Sequence, residues 1–362
     1  MKNVRQQTRQ VRLGSILIGG NAPVAVQSMT TTDTRDPEAT VAQIRRLAQA
    51  GCEIVRLAVP DASAAKALRA IHDATPVPLV ADIHFDHRLA ITTLESGIEG
   101  LRINPGNIGG KEQVDAVVDA AKAHKAVIRV GVNGGSLDKT LLERFGGPTP
   151  EALVESALEH VGYLEARHFY DTKISLKSSS VTDTVAAYRL MASRCDYPLH
   201  LGVTEAGGVL RGAIKSSVAM GILLSEGIGD TLRVSLTADP EEEMTVAWEL
   251  LRSLGLRRRG PEIISCPTCG RCEIDLIGMA QMVEERLQGE SADIKVAVMG
   301  CVVNGPGEAR EADIGMAGGR DRGIIFRHGE VIRSVKGQAE LIQAFMEELG
   351  RILEESQTNQ ER

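Results

Sequence analysis

Residues 100–133 read GLRINPGNIGGKEQVDAVVDAAKAHKAVIRVGVN. A short β-branched run leads through a Gly/Asn/Pro loop into an amphipathic helix at 111–124, and a second β-branched run follows. The same unit recurs on both sides. Strands are expected at 24–30, 53–59, 78–84, 100–106, 126–133, 172–179, 198–206 and 231–238. Helical patterns fall between or after them, at 37–50, 111–124, 150–166, 213–226 and 241–254 among others. Strands alternating with helices of about a dozen residues imply a parallel sheet. Eight such units in roughly 255 residues fit a (β/α)8 TIM barrel in count and size. An open doubly wound sheet is the alternative, but no Gly-rich dinucleotide fingerprint follows the first strand.

The rhythm changes after residue 256. Arg257–Arg259 followed by Gly260-Pro261 reads as a linker. Beyond it come a cysteine-rich turn, a helix at 274–287, a strand at 294–299, a Gly-rich loop and a β-hairpin around His328-Gly329. The last helix has Leu341, Ile342, Phe345, Leu349, Ile352 and Leu353 on one stripe. The expectation is an α/β chain of two domains, a barrel at 1–256 and a compact α+β domain at 261–355. The polar tail from Ser356 is expected to fray.

A hydrophobic fraction of 43% with 25% charged residues is ordinary for a globular protein, and no apolar run is long enough for a membrane span. The basic N-terminus is followed by an apolar stretch, 15–18, too short for a signal peptide, which points to the cytoplasm. A net charge of -7 and an aromatic content of 3% argue against nucleic acid as a partner. Six cysteines in 362 residues do not make a disulfide framework; clustered, they suggest a metal or redox site.

The strand ends are polar where a purely structural strand would be apolar. Arg56, Arg102, Arg129, Lys177 and Arg233 lie in or near the C-terminal halves of strands two, four, five, six and eight, joined by Asp82, His84, Asn104, Asn133, Ser175 and Glu205. Period-two alternation puts Arg102 with Asn104, Arg129 with Asn133, and Lys173, Ser175 and Lys177 on common faces. In a barrel of this type the C-terminal rim builds the active site. Each charge singly could be a rim residue paired with a neighbour. Five cations at one mouth repel, so an anion is wanted among them, and guanidinium forks match the oxygens of a diphosphate. Glu205 is the odd carboxylate: either it neutralises Arg233 or Lys177, or it is an acid that protonates a leaving oxygen.

The strongest local signal is the string at 265–272, SCPTCGRC, paired with that at 300–308, GCVVNGPGE. Cys266 and Cys269 bring two thiolates to one centre and Cys301 supplies a third. A zinc ribbon would need a second Cys-x-x-Cys or a histidine pair, and a reactive dithiol would need a thioredoxin-like context. An iron–sulfur cluster accommodates three cysteines plus another ligand. On spacing alone that ligand is Cys272, which extends the run, or Glu308, which follows a Gly-Pro-Gly turn. Cys52 and Cys195 are isolated and read as inert.

These strings resemble those of bacterial 4-hydroxy-3-methylbut-2-enyl diphosphate synthases. The segments 26–31 (VQSMTT), 55–60, 81–85, 101–106 and 202–206 are similar to that family in order and spacing, and GCVVNGPGEA at 300–309 is highly specific. The resemblance implies a barrel followed by a cluster domain like a module of sulfite reductases. It implies reductive ring opening of 2-C-methyl-D-erythritol 2,4-cyclodiphosphate in the non-mevalonate isoprenoid pathway, with electrons from ferredoxin or flavodoxin. It also implies a [4Fe-4S] cluster on Cys266, Cys269, Cys301 and Glu308. The substrate would be held by Arg56, Asp82, Arg102, Arg129, Asn133, Lys177, Ser178 and Arg233, with Glu205 and Glu308 catalytic. The position of Cys272 departs from the family pattern.

Two other functions compete with this one. A pteroate-synthase-like barrel also binds a diphosphate but leaves the cysteines unexplained, and a zinc-bearing binding protein would have no turnover. Assembly follows from chain geometry. The barrel's last helix runs some 20 Å back from the mouth at 1.5 Å per residue. A linker of about five residues reaches at most roughly 17 Å. A cluster domain therefore caps a partner's barrel more easily than its own, which gives a head-to-tail, two-fold homodimer.

Overall fold

The computed structural model describes residues 5–84, 86–103, 108–301, 307 and 309–360, and the chain divides into two compact units, Met1–Arg257 and Arg258–Arg362.

The first unit opens with an antiparallel hairpin absent from the sequence expectation, β1 (Val11–Leu13) and β2 (Ile16–Ile18). Eight parallel strands follow: β3 (Ala25–Met29), β4 (Ile54–Ala58), β5 (Leu79–Asp82), β6 (Gly100–Ile103), β7 (Val127–Asn133), β8 (Thr172–Lys177), β9 (His200–Leu201) and β10 (Thr231–Leu232). Each pairs with its neighbour except between β8 and β9; β10 pairs with both β9 and β3. The ring closes through a single parallel bridge, Ile174 to Leu199. It is a TIM barrel, as the strand count implied.

The helices between them start at side-chain caps that the sequence supplies. In α1 (Pro37–Gln49), α2 (Ala62–Asp73), α3 (His87–Glu95) and, after the uncapped α4 (Lys111–His124), α5 (Lys139–Phe145), an aspartate accepts a first-turn N–H. Thr149 and Ser180 do the same for α6 (Pro150–Glu165) and α7 (Val181–Arg194). α8 (Val209–Ser225) and α9 (Pro240–Ser253) complete the ring.

Two expected strands are much shorter than the pattern suggested. The seventh, expected over 198–206, ends at Leu201, and the eighth, expected over 231–238, ends at Leu232. A side chain at Gly202 would stand 2.7 Å from the Lys177 amine and 2.8 Å from the Arg233 carbonyl, so the chain there carries none and turns away. Glu205 and Gly207 then take positive φ, and Thr237 N–H binds the Gly207 carbonyl, tying the two rim loops together. α8 begins a turn earlier than expected, at Val209 rather than 213.

Alternation along the strands sorts the first unit's core. Outward residues such as Val55, Leu57, Leu101, Ile128, Val130, Ile174 and Leu176 are buried under the helices in one apolar cluster. At the lower end of the barrel, Val11, Leu13 and Ile18 of the hairpin pack against Ala25, Ile54, Val80 and Val127. Above that apolar floor most inward positions are polar or charged, where barrels of this type normally carry branched apolar side chains.

The second unit is a five-stranded mixed sheet in sequential order: β11 (Glu262–Ser265), β12 (Lys295–Met299), β13 (Ile314–Ala317), β14 (Gly323–Arg327) and β15 (Glu330–Val335). The first three strands are parallel, the last two antiparallel, and β14 turns into β15 at His328-Gly329 as expected. α10 (Leu276–Leu287) and α11 (Gln338–Gln360) cover it, with Met279, Val283, Phe345 and Leu349 in its core. The last helix runs past Ser356 to Gln360. The tail's Glu and Gln residues are adequate helix formers, and no Gly or Pro interrupts them. Among the described residues no helix is long and apolar enough to cross a membrane.

Candidate active site

Six inward cations occupy the barrel above its apolar floor: Arg56, Arg102, Arg129, Lys173, Lys177 and Arg233. The strand ends set their positions. Arg102 on β6 is the register partner of Arg129 on β7, which is in turn the partner of Lys173 on β8. Arg102 crosses over Gly131; a side chain at 131 would stand 2.6 Å from its Nε, so glycine is required there.

Two carboxylates meet these cations. Asp82, buried at the end of β5, accepts from Arg102 Nη1 at 3.2 Å and lies 3.8 Å from Arg56 Nε and 3.5 Å from His84 Nε2. Burial alone would raise its pKa. The His84 hydrogen bond and the charges of Arg56, Arg102 and Arg129 outweigh that and hold the carboxyl below its ordinary range. Glu243, buried on α9, takes Arg233 through both oxygens at 3.1 and 3.3 Å, and also accepts from Ser28 Oγ at 2.7 Å. Arg56 donates to the Met29 sulfur at 2.9 and 3.1 Å, and Arg233 approaches the same sulfur at 3.8 Å. Burial first, then Arg233 and Arg102, lower Arg56 to about 10 against the pull of Asp82 and Glu243.

The remaining polarity lies deeper. Arg129 is 1% exposed, and its Nε and Nη1 find no hydrogen-bond partner among the described residues. Lys173, also 1% exposed, has an unpartnered Nζ; burial, then Arg129 and Arg56, lower it to about 7. Burial and the same cations hold Lys177 well below the usual lysine range. His200 on β9 bonds Thr231 Oγ1 through Nδ1 at 2.8 Å, leaves Nε2 unpartnered, and is driven neutral by burial and nearby cations. Both amide atoms of Gln27 on β3 are unpartnered too.

Of the residues singled out in the sequence, Arg56, Asp82, Arg102, Arg129, Lys177 and Arg233 therefore come together. Asn133 and Ser178 are half-buried at the ends of β7 and β8. Asn104 lies outside the described residues. Glu205 does not neutralise the basic ring: it is exposed on the loop after β9 and pairs with neither Arg233 nor Lys177, the former being met by Glu243 instead. Sequence reasoning missed Glu243, His200 and Gln27, and it placed Lys173 on the face of Lys177 without counting it as a site residue. His200 and Gln27 sit at inward register positions that alternation could have flagged.

In the second unit, Cys266 follows β11 and Cys301 follows β12 by two residues. The pairing of Ser265 with Val298 brings these parallel strands to a common end. Cys266 Sγ accepts the Gly300 N–H at 3.2 Å and lines a groove of about 310 Å³ against α10. Cys269 is exposed, and hydrogen bonds from the Arg271 backbone and side chain lower its pKa. Cys272 Sγ points to the Ile274 carbonyl at 3.4 Å and rests against Gly300. Glu308 and residues 302–306 lie outside the described residues. Among those described, no three of His, Cys, Asp or Glu stand together as a finished metal site. Three thiols issuing from adjacent strand ends and their connecting turn nonetheless have the donor chemistry of an iron–sulfur group. Cys52 is buried and its thiol pushed up to about 12 by burial, in keeping with an inert role.

Comparison with known proteins bears on both units. A family model described as the GcpE TIM-barrel domain matches residues 8–248, and one described as the GcpE protein C-terminal domain matches 262–351. The chain is 68% identical to a 4-hydroxy-3-methylbut-2-en-1-yl diphosphate synthase (flavodoxin) of Lawsonia intracellularis, over 99% of this chain and 100% of that one. Proteins of the same name from Nitratidesulfovibrio vulgaris and Maridesulfovibrio salexigens are 67% and 66% identical, over 96% and 97% of this chain and 90% and 98% of theirs. Among solved structures, a 3-dehydroquinate dehydratase from Geobacillus kaustophilus aligns with a TM-score of 0.49 at 12% identity, covering 69% of this chain and 99% of that one.

Proposed function

The chain belongs to the family of 4-hydroxy-3-methylbut-2-en-1-yl diphosphate synthases, oxidoreductases of isoprenoid synthesis, and from that premise we propose how its two units divide the work. The barrel mouth binds 2-C-methyl-D-erythritol 2,4-cyclodiphosphate. The second unit carries a [4Fe-4S] cluster, and flavodoxin supplies the electrons. The conversion takes in two electrons and two protons, breaks the ring C–O bond and the adjacent C–OH bond, forms a carbon–carbon double bond and releases one water. The pteroate-synthase-like and zinc-protein alternatives fall with the family assignment.

The observation that carries the barrel's role is its charge balance. Among the described residues, Arg56, Arg102, Arg129 and Arg233 with the amines of Lys173 and Lys177 meet two carboxylates, Asp82 and Glu243, and the deepest, Arg129 and Lys173, leave donors unpartnered. Such a set needs an anion, and a diphosphate offers oxygens to several guanidinium forks at once. Arg56, Arg102, Arg129, Lys177 and Arg233 grip it; Asp82 orients Arg56 and Arg102, and Asn133 and Ser178 add hydrogen bonds at the rim. Glu205, on a rim loop and unpaired with the ring cations, is the acid assigned to the leaving oxygen.

Cys266, Cys269 and Cys301, with Glu308 as the fourth ligand, hold the cluster. When bound, it supplies electrons one at a time, and a carboxylate ligand is more readily displaced than a thiolate. The second unit must reach a barrel mouth, and the expected head-to-tail homodimer provides one. A helix that follows a barrel strand returns toward the opposite end of the barrel, and α8 presents Leu210, Ile214, Val218 and Ile222 outward at four-residue spacing, with Leu210 73% and Ile214 55% exposed. A second copy is the partner we assign to this apolar stripe.

The test is anaerobic purification followed by turnover of the cyclic diphosphate with reduced flavodoxin. Brown, iron- and sulfide-containing protein that forms the linear diphosphate is expected. Colourless, folded, zinc-loaded protein without turnover would overturn the reading.

A further inference from the structure

We propose that Lys173 is a positioning residue for the diphosphate, an amine beneath the gripping ring that gains a proton as the ligand binds. The inference rests on the barrel-mouth reading above. Its starting point is a layer of polar groups with nothing to bond. Gln27, Arg129, Lys173 and His200 come from four different strands, all are at most 1% exposed, and each leaves at least one polar side-chain atom unpartnered among the described residues. Buried polar groups in folded proteins are nearly always satisfied. A layer this unsatisfied, opening upward to a ring of cations, is arranged around something that arrives.

The charges that reach Lys173 are those of Arg129 on β7 and Arg56 on β4, both cations. His200 on β9 faces the same layer and is neutral, Gln27 on β3 carries no charge, and Lys177 lies on its own strand toward the mouth. The interior carboxylates are committed elsewhere, Asp82 to Arg102, Arg56 and His84, and Glu243 to Arg233 and Ser28. Among the described residues, no acceptor and no counter-charge therefore stabilise the ammonium form of Lys173 until an anion enters. An anion over Arg129 cancels part of the field that opposes protonation, and the amine takes up a proton. Linkage makes the effect reciprocal: whatever the ligand does for the proton, the proton does for the ligand. Lys173 acts through Arg129, its register partner on β7.

The experiment is titration calorimetry of the intact, oxidised protein with the cyclic diphosphate and no electron donor, in buffers of different ionisation heat from pH 6 to 9. Both phosphates of this ligand are ring-esterified and keep a fixed charge over that range, so any proton taken up goes to the protein. Uptake approaching one proton per site from Lys173 is expected near pH 8 and little near pH 6, with Kd weakening up to about tenfold per pH unit above 7. Lys173→Met should still bind but lose that proton and flatten the pH slope. Lys173→Gln is a second variant should the first fold poorly. Binding without uptake in the wild type, or wild-type uptake in both Lys173 variants, would overturn the proposal and leave the mouth reading standing. Absence of binding in the wild type would overturn both.

Discussion

Glu243 grips Arg233 with both carboxylate oxygens, 3.1 and 3.3 Å from its Nη2 and Nε, although the two residues belong to a helix and to the segment just past a barrel strand. Glu243 also accepts the Leu236 N–H at 3.2 Å, so one buried carboxylate fastens α9, the rim loop and, through Ser28, the first barrel strand. Glu243→Ala should cost about 3–5 kcal/mol, because it strands a half-buried guanidinium as well as removing the hydrogen bonds. Urea denaturation of the apoprotein measures it, and a loss below about 1 kcal/mol would mean that Arg233 finds another partner.

This pair marks where the sequence stopped being legible. Strand–helix alternation sufficed for the barrel, since the strands' outward residues are mostly apolar and most of its helices carry their own caps. The inward cations were legible by alternation too. Their counter-charges were not. Glu243 sits in an acidic run, Glu241-Glu242-Glu243, that reads as an ordinary first helical turn, and only the packing of α9 turns one of the three inward. Glu205 looked the better neutraliser because the pattern extended β9 to residue 206. The strand ends at Leu201, and its loop leaves Glu205 facing solvent. The N-terminal hairpin escaped notice because three-residue strands carry almost no periodicity.

Arg102→Ala and Arg129→Ala should each weaken binding of the cyclic diphosphate by roughly tenfold to a hundredfold, the worth of one charge-assisted hydrogen bond of about 1.5–3 kcal/mol. Iron content should not change. Equilibrium binding and iron analysis on the same preparations check both halves, and unchanged affinity in both variants would count against the mouth as the binding site.

Lys173 gives a stability prediction of definite sign. Its folded-state pKa, about 7, lies below the ordinary 10.5, so between those values the unfolded chain binds more protons and wild-type stability rises with pH. The penalty for burying the ammonium is complete below about pH 7 and gone above about pH 10.5. Lys173→Met, which removes it, should therefore stabilise by roughly 1–4 kcal/mol at pH 6 and by progressively less toward pH 10. Melting temperatures of both proteins across that range test it; a gain that grows with pH would contradict the assignment.

Cysteine substitutions separate cluster ligands from bystanders. Cys266→Ser, Cys269→Ser and Cys301→Ser should each lose iron and turnover. Cys272→Ser should keep both near wild type, since its thiol points to the Ile274 carbonyl. Iron loss in Cys272→Ser would replace Glu308 as the fourth ligand.

Composite sites can be tested by mixing two inactive variants, Arg129→Ala and Cys301→Ser. If each site joins the barrel of one chain to the cluster unit of another, exchange should restore up to about a quarter of wild-type activity, because half the dimers are mixed and each has one intact site. Leu210→Glu with Ile214→Glu on α8 should abolish that recovery by dissociating the dimer, measured as a halved mass in sedimentation. Demonstrated exchange without recovery would confine each site to one chain.

The small hairpin beneath the barrel makes its interior a cul-de-sac. Val11, Leu13 and Ile18 stop the lower end with apolar side chains, so water, protons and ligand share one doorway. Seated there as proposed, a diphosphate corks the vessel, and whatever lies under it, a trapped water or the proton on a lysine, stays until the cork is drawn. Product departure, not inward leakage, then resets the chamber for the next turnover.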